Sequence, residues 1–202
     1  MKNLIKKLST ISVGFAVALG VMMFSRLLST TGFNPLFGMI MVLGLTFSKN
    51  KDLSASSMLW LLIANFVVDF CWALKGYFDL EIQLSVYGSY LLMWLASVVL
   101  SKSKSYWVKG SLSVLSGNAI FFLITNYVSW ILMSDITNPS WCIYSHDLSG
   151  LISCYIASIP YSWKGALVSV FVVTGYCIYS FLTEVKGYRL FKTSHSVSDL
   201  NI

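Results

Sequence analysis

Six runs of apolar residues, separated by short polar segments, dominate this chain of 202 residues. A helix needs roughly 20 apolar residues to cross the hydrocarbon core of a bilayer. The runs cover residues 8–28, 33–47, 54–74, 84–100, 111–133 and 164–182. Only 11% of the residues are charged, whereas soluble domains carry about 25%. The sequence therefore predicts an all-α integral membrane protein with six transmembrane helices.

No linker, internal repeat or low-complexity segment divides the chain, so one membrane domain is predicted over residues 1–184. The polar residues 185–202 are predicted to form a cytoplasmic tail. The second apolar run is short, at about 15 residues, and it opens with Asn34-Pro35. Because proline suits the first turn of a helix and disfavours helix before it, this run is predicted to be a short or partly re-entrant helix.

Lysine and arginine residues are distributed unevenly between the two sides that six helices define. If the N-terminus is cytoplasmic, eleven of them fall in inner segments, whereas only Arg26, Lys75 and Lys164 fall outside. Cytoplasmic segments of membrane proteins carry such an excess of basic residues. The sequence thus predicts cytoplasmic N- and C-termini in the inner membrane of a bacterium. The net charge of +6 is explained by this orientation and requires no nucleic acid partner.

The first apolar run follows three lysines, as the apolar core of a secretory signal does. It is about 20 residues long, and signal cores have only 7 to 15, so an uncleaved first helix is predicted. Two overlapping pairs of small residues lie on this helix, Gly14 with Ala18 and Ala16 with Gly20. Such pairs let a second helix approach closely. They indicate either docking of a partner or ordinary packing within the chain.

One long outer connection, residues 134–161, links the fifth and sixth predicted helices. It combines polar residues with an apolar stretch at 148–159, which at about 12 residues is too short to cross a bilayer. The sequence predicts that this stretch forms a short helix in the outer loop, lying over the outer face or dipping into it.

Polar residues lie at a similar depth on several of the predicted helices. Asp69 and Arg26 are charges within or beside apolar runs, where a charge is costly and often functional. Asn65, Asp69 and Trp72 share one face of the third helix because they are spaced at i, i+4 and i+7. The fifth helix carries a comparable set: Asn118, Thr125, Asn126, Ser129 and Trp130. Together these residues predict a polar site in the outer third of the bundle.

Two interpretations of these residues are open at this point. In the first, a pocket open to the outside is floored by Asp69 and Asn126 and covered by the outer loop. Its aromatic walls would be Trp72, Trp130, Tyr87 and Tyr90. In the second, Asp69 pairs with Arg26 and neutralises it, the asparagines bond across helices, and the outer aromatic residues form an interfacial belt.

Residues with catalytic or metal-binding chemistry are few. His146 lies beside Asp147 and near Cys142, but a metal site normally has three or four ligands, and no spacing here supplies them. Cys142 and Cys154 could form a disulfide in an oxidising compartment, with free thiols as the alternative. The chain contains no GxxxxGK(S/T), GxSxG or HExxH motif. No enzymatic activity and no cofactor are predicted, so energised transport would depend on a partner or a gradient.

Two stretches are distinctive enough to suggest a family. They are FFLITNYVSW at residues 121–130, which follows Ser116-Gly117-Asn118, and GLISCYIASIPY at residues 150–161. These stretches resemble a bacterial membrane family called domain of unknown function 6580, whose members are commonly labelled transport proteins. The matching pieces extend from about residue 26 to about residue 180. Where the family often shows a Ser-Asp pair, this chain has Val68-Asp69.

The predicted architecture is also similar to that of the substrate-binding subunits of energy-coupling-factor vitamin transporters. The likeness lies in six helices in a chain of this length, a site near the outer face and no nucleotide motif. In those subunits an AxxxA-like motif on the first helix docks against a scaffold subunit, and the pairs of small residues at positions 14–20 would be its counterparts. The likeness implies scaffold and ATPase subunits as partners.

The predicted function is the binding of a small solute from the outer side, as the substrate-binding component of an uptake system. The alternative is a non-transporting assembly protein whose helix faces bind another membrane subunit. The predicted solute-binding residues are Asp69, Asn126, Asn65, Arg26, Trp72, Trp130 and Tyr155. Asp69 and Asn126 would bond to polar groups of the solute, and the tryptophans and the tyrosine would stack on its apolar part. Arg26 would neutralise an acidic solute or balance Asp69.

Overall fold

The computed structural model describes residues 13–27, 35–74, 79–133 and 143–198. Six helices fill most of these ranges, and the same ranges contain no strand. The helices are α1 (Val13–Leu27), α2 (Leu36–Thr46), α3 (Lys51–Ala73), α4 (Leu80–Leu100), α5 (Tyr106–Met133) and α6 (Leu148–Ser198). The all-helical class predicted from the apolar runs is confirmed for this part of the chain.

Four of the described helices are long and apolar enough to cross a bilayer. They are α3, α4, α5 and the portion of α6 from Leu148 to Glu184. The apolar part of α1, Phe15–Arg26, and the whole of α2 are shorter than a bilayer requires for a straight span. These lengths indicate a membrane protein. The six-span arrangement with cytoplasmic termini stays a prediction.

Short polar side chains define where two of the helices, α3 and α4, begin. Asn50 accepts a hydrogen bond from the Leu53 backbone N–H at 3.0 Å, which caps α3. Asp79 caps α4 in the same way through the Ile82 N–H, also at 3.0 Å. Such caps satisfy backbone donors that the first turn of a helix leaves free. With these caps, α3 begins three residues before the apolar run at 54–74, and α4 begins four residues before the run at 84–100.

Helix α6 corrects the predicted division of the outer loop. The sequence predicts a short helix at 148–159 that is separate from a span at 164–182, whereas the structure has one continuous helix across both, with Pro160 inside it. Proline removes one backbone donor from a helix. If the helix ended at Pro160, several more backbone N–H and C=O groups would lose their hydrogen bonds in an apolar surrounding, which would cost more free energy than the one missing donor. The backbone of α6 continues as far as Ser198, into the segment predicted to be a polar tail.

Several predicted features lie outside the described residues. They are the start of the first span at 8–12, Asn34, Lys75, and residues 134–142 of the outer loop, which include Cys142. The disulfide between Cys142 and Cys154 and the covering role of the outer loop therefore stay predictions. Cys154 itself is buried, and its Sγ lies 3.5 Å from the Asn126 backbone carbonyl oxygen.

Helix α2 lies in the middle of the bundle and packs against α3, α4, α5 and α6. It is apolar along its whole length, and Leu36, Ile40, Met41 and Leu45 are fully buried in the core. By contrast, α1 packs mainly against α3. A short helix that is surrounded in this way gains its stability from packing rather than from its own length.

Two glycines let neighbouring helices approach the backbone of α2. A Cβ atom at Gly44 would lie 2.5 Å from Ser97 Cβ and 2.6 Å from the Trp94 carbonyl oxygen on α4. A Cβ atom at Gly38 would lie 2.5 Å from Val172 Cβ on α6. These distances are shorter than a Cβ atom can approach another heavy atom, so close packing at Gly38 and at Gly44 requires glycine.

We expect Gly44→Ala to destabilise the protein by about 1–3 kcal/mol, because the added methyl group meets backbone that has no room to move. Gly88→Ala in α4 is the matched control, since a Cβ atom there would have no neighbour within 4 Å. That change should leave stability equal or raise it by roughly 0.5–1 kcal/mol, as alanine favours helix. Thermal unfolding in mild detergent measures both. Equal effects of the two substitutions would contradict the close approach of α2 and α4.

Candidate functional site

Four polar side chains from three helices form one hydrogen-bonded network. Arg26 of α1 donates to Asp69 Oδ1 on α3 at 2.7 Å and also to Asn65 Oδ1. Asn65 Nδ2 donates to Asp69 Oδ2 at 2.9 Å and to the hydroxyl oxygen of Tyr87 on α4 at 2.8 Å. The Tyr87 hydroxyl donates to Asp69 Oδ2 at 2.7 Å. We call these four residues the Arg26 network.

Helical spacing explains how the Arg26 network is assembled. Asn65 and Asp69 are one turn apart on α3, so their side chains lie on the same face. Both are buried, with 0% and 2% of their surface exposed. The Asp69 carboxylate accepts three hydrogen bonds and is paired with a guanidinium. A buried charge requires pairing and hydrogen bonding of this kind, so the network is electrically neutral and satisfied within the chain.

The Arg26 network matches the second interpretation of the sequence, in which Asp69 pairs with Arg26. It also includes Tyr87, which the sequence placed in a pocket wall. Trp72, in the last turn of α3, is half-buried. Direct binding of a solute by Asp69, Asn65, Arg26 or Trp72 stays a prediction.

We expect Asp69→Leu to destabilise the protein by about 3 kcal/mol or more, because it leaves the Arg26 guanidinium without its counter-charge. Adding Arg26→Met should recover part of this loss, since the double variant has no unpaired charge. Thermal unfolding in mild detergent of both single variants and the double variant measures the coupling. Glu81→Leu, at an exposed carboxylate of α4, is the control and should change stability by roughly 0.5 kcal/mol or less. Simple additivity of the two single effects would contradict the pairing.

A groove with a volume of about 670 Å³ lies between α2, α5 and α6. Asn126, one of the two residues predicted to floor a pocket, lines it. The described residues that line it do not include Asp69, Asn65, Arg26, Trp72, Trp130 or Tyr155. The described residues that line the groove are Phe37, Asn118, Ala119, Phe121, Phe122, Thr125, Asn126, Ser158, Ile159, Tyr161, Ser162, Trp163, Gly165 and Ala166.

Aromatic rings stand between the groove and the Arg26 network. Phe37 and Phe121, which both line the groove, have ring centroids 4.3 Å apart. Tyr90 stacks on Phe121 at 5.7 Å and contacts Tyr87 of the network at 5.9 Å. Tyr90 is almost completely buried. The groove and the charged pair are therefore neighbouring sites joined through Phe121, Tyr90 and Tyr87.

Tyr155 and Trp130, two aromatic residues predicted to bind the solute, instead make contacts that join α5 to α6 and to the segment before it. The Tyr155 hydroxyl donates to the Leu123 carbonyl at 2.8 Å, and its ring lies 5.5 Å from that of Phe122 in the groove wall. Trp130 Nε1 donates to the Ser145 carbonyl at 3.1 Å, and its ring stacks on His146 at 5.1 Å. Tyr155 thus supports the groove from behind, and Trp130 attaches the segment before α6 to α5.

Ser158 and Ser162 are groove residues that sequence reasoning missed. They are spaced i, i+4 on α6, which is the signal for a shared helix face, but the short helix predicted from the sequence ends at residue 159, so the two were not placed on one helix. Asn118 and Thr125 were noted among the polar residues of the fifth helix, without a binding role. The structure brings all four to the same groove as Asn126.

Asp147 immediately precedes α6, and its carboxylate accepts several hydrogen bonds at the start of the helix. Its Oδ1 accepts from the Gly150 backbone N–H at 2.8 Å, from the Ser145 hydroxyl at 2.7 Å and from the Ser149 hydroxyl at 2.9 Å. These hydrogen bonds, the Gly150 bond first, stabilise the charged carboxylate and lower the pKa of Asp147 to about 2. The arrangement is a helix cap.

We expect the stability contributed by Asp147 to be complete above about pH 4, the ordinary pKa range of Asp, and to be lost as the pH falls towards 2. The sign follows because the folded state holds this carboxylate ionised to a lower pH than the unfolded state does. Asp147→Ser keeps a neutral cap and serves as the matched control. The difference in Tm between wild type and Asp147→Ser should shrink as the pH falls from about 4 to about 2. A difference that stays constant would contradict the capping role.

The exposure of three of the four predicted docking residues on α1, Ala16, Ala18 and Gly20, is described. Ala16 and Gly20 are exposed, and Ala18 is half-buried. A Cβ atom at Gly20 would have no neighbour within 4 Å. The side chain position of Gly14 lies outside the described part of the chain. The Ala16 and Gly20 positions are thus not used for packing against the rest of the described chain.

The chain matches one known family over residues 6–188, and the description of that family is "Family of unknown function (DUF6580)". The match covers most of the 202 residues. The chain belongs to this family. No curated protein matches it, and neither does any solved structure. The family description names no activity, so the function has to be argued from the groove and the Arg26 network. The likeness to energy-coupling-factor subunits stays a prediction.

The described residues offer little for a metal ion. In those ranges, no three His, Cys, Asp or Glu side chains come together as a metal site requires. Ser145 and Asp147 lie beside His146, but the Ser145 hydroxyl donates to Asp147, and the His146 ring stacks on Trp130. This is the geometry of a helix cap and an aromatic contact.

Proposed function

We propose that the protein binds a small solute inside the membrane, in the groove between α2, α5 and α6. The observation that carries this proposal is the volume of the groove together with its lining. Small-molecule sites have volumes of roughly 300–1,000 Å³ and apolar walls with a few polar groups. A groove of about 670 Å³ with this kind of wall fits that description.

The walls supply two kinds of contact. Phe37, Phe121 and Phe122 offer aromatic faces, on which a planar solute would stack. Asn118 and Asn126 offer amide groups, one turn of α5 above and below the phenylalanines at 121 and 122. A solute would therefore place its apolar part against the rings and its polar part against one of the asparagines, at either end of the ring cluster.

In this proposal the Arg26 network supports the site. It links α1, α3 and α4 through partly buried hydrogen bonds. Tyr90 packs between Tyr87 of the network and Phe121 of the groove, so it connects the two. Solute binding by Asp69, Arg26 or Asn65 themselves would require one of these bonds to open. The proposal extends to uptake with partner subunits, for which the exposed Ala16 and Gly20 of α1 provide a surface for close helix contact.

The same surface of α1 supports a second candidate function, that of a non-transporting assembly protein. A helix that packs mainly against α3 and presents small residues outward is suited to binding a helix of another subunit. Co-purification in mild detergent separates the two candidates. Scaffold and ATPase subunits would favour uptake, whereas one stable partner without nucleotide binding would favour assembly.

The direct test of the proposed function is a thermal-shift screen of the purified protein in mild detergent against water-soluble vitamins and nucleobases. A solute at 100 times its Kd should stabilise the folded state by about 2.7 kcal/mol. Ala166→Phe places a ring inside the groove, because Ala166 lines it. This variant should show no stabilisation by any solute that stabilises wild type.

Ala157→Phe is the matched control for that substitution. Ala157 is on the same helix but is exposed and does not line the groove. It should respond to solute as wild type does. The proposal is wrong if no solute in the panel stabilises wild type, or if Ala166→Phe and Ala157→Phe respond to every active solute to the same degree.

A further inference from the structure

Hydrogen bonds within the chain fix the orientation of both asparagine amides in the groove. Asn118 Nδ2 donates to the Val114 carbonyl and to Ser169 Oγ, both at 2.8 Å. Asn126 Nδ2 donates to the Phe122 carbonyl at 2.7 Å. Because a backbone carbonyl only accepts hydrogen bonds, the atom facing it must be the NH₂ group of each amide. The carbonyl oxygens are the ends of the amides that stay available.

The hydroxyl groups of the groove show the same pattern. Each donates its single hydrogen to a carbonyl of its own helix: Thr125 to Phe121 at 2.7 Å, Ser158 to Tyr155 at 2.8 Å and Ser162 to Ser158 at 2.9 Å. A hydroxyl oxygen whose hydrogen is used still has lone pairs. Counting only hydrogen bonds between described residues, the inner wall thus has five oxygens with acceptor capacity and one unused amide hydrogen, on Asn126.

Charge is the second property of the wall. The described lining contains no Asp, Glu, Lys or Arg. A charged ligand would lose hydration there without meeting an opposite charge, which is costly in an apolar site. The donors at the rim, on Tyr161 and Trp163, belong to residues that are 82% and 51% exposed, so they do not alter the acceptor character of the interior.

From these observations we infer that the groove selects a neutral aromatic solute whose polar end donates hydrogen bonds through O–H or N–H groups. This inference rests on the proposed function, since it names the class of solute for the same groove. The rings of Phe37, Phe121 and Phe122 take the aromatic part. The Asn126 carbonyl oxygen, at one end of the ring cluster, accepts a hydrogen bond from the donor end of the solute. Without that bond, the donor would lose its hydrogen bonds to water and gain none in return.

A matched series of naphthalene compounds tests the inference. The full chain in lipid nanodiscs is titrated with 2-naphthol, 2-methoxynaphthalene, 2-naphthoate and 2-naphthylmethylammonium, with binding to empty nanodiscs subtracted. 2-Naphthol differs from its methyl ether only by the capped donor. We expect 2-naphthol to bind about tenfold more tightly than the ether, the effect of one hydrogen bond in a site of low polarity, and more tightly than either ion.

Substitution of one acceptor provides a second measurement. Asn126→Leu removes one amide oxygen, and the only hydrogen bond of its side chain to a described residue lies within α5. It should weaken 2-naphthol binding severalfold and leave the ether unchanged. Equal weakening of both compounds would contradict the acceptor role, and the comparison of compounds on wild type stands even if this variant fails to fold.

The outcomes separate the inference from the proposed function. If no compound binds saturably, or if Ala166→Phe binds them as wild type does, the groove is not a solute site and both ideas fail. If saturable binding is present in wild type and lost in Ala166→Phe, the groove stands. In that case, an ether, anion or cation that binds as tightly as 2-naphthol overturns the inferred class alone.

Discussion

The burial of helix α2 is the constraint on which the arrangement of the bundle depends. This helix is too short to span a bilayer unaided, and it is enclosed by α3, α4, α5 and α6. Gly38 and Gly44 bring its neighbours to distances at which a methyl group would collide. Phe37, beside the first of these glycines, forms one wall of the groove. The position of that wall is therefore set by how deeply α2 is seated between α4 and α6.

Polar groups in this bundle are organised into two sites of different character. The Arg26 network satisfies its own charges, so it needs no ligand to be stable where it is. The groove has free acceptors and no charge among its described lining residues. Tyr90 and Phe121 separate the two sites and keep them in mechanical contact. A change of spacing at the ion pair would reach the groove through these rings rather than through the electric field.

The sequence was sufficient for the helical class and for most helix positions, because apolar runs and helical spacing are local properties. Helices α3 and α4 begin a few residues earlier than the apolar runs, because Asn50 and Asp79 cap first turns that contain polar residues. The predicted division of residues 148–182 into a short helix and a separate span was wrong, because the helix continues through Pro160 and a break there would leave more backbone groups without hydrogen bonds. Spacing also predicted that Asn65 and Asp69 share a face. It did not predict that Asn126 faces a different neighbour from Asp69, because that depends on how each helix is rotated against the others.

The ion pair between Arg26 and Asp69 has a consequence for the synthesis of the protein and its insertion into the membrane. Arg26 precedes Asp69 by 43 residues, so the ribosome delivers the arginine to the insertion machinery well before its carboxylate. Until α3 follows, the guanidinium at the end of a short apolar segment has to stay hydrated at the membrane surface or in the insertion channel. Helix α1 can thus reach its final position only after the downstream helix α3 has been synthesised.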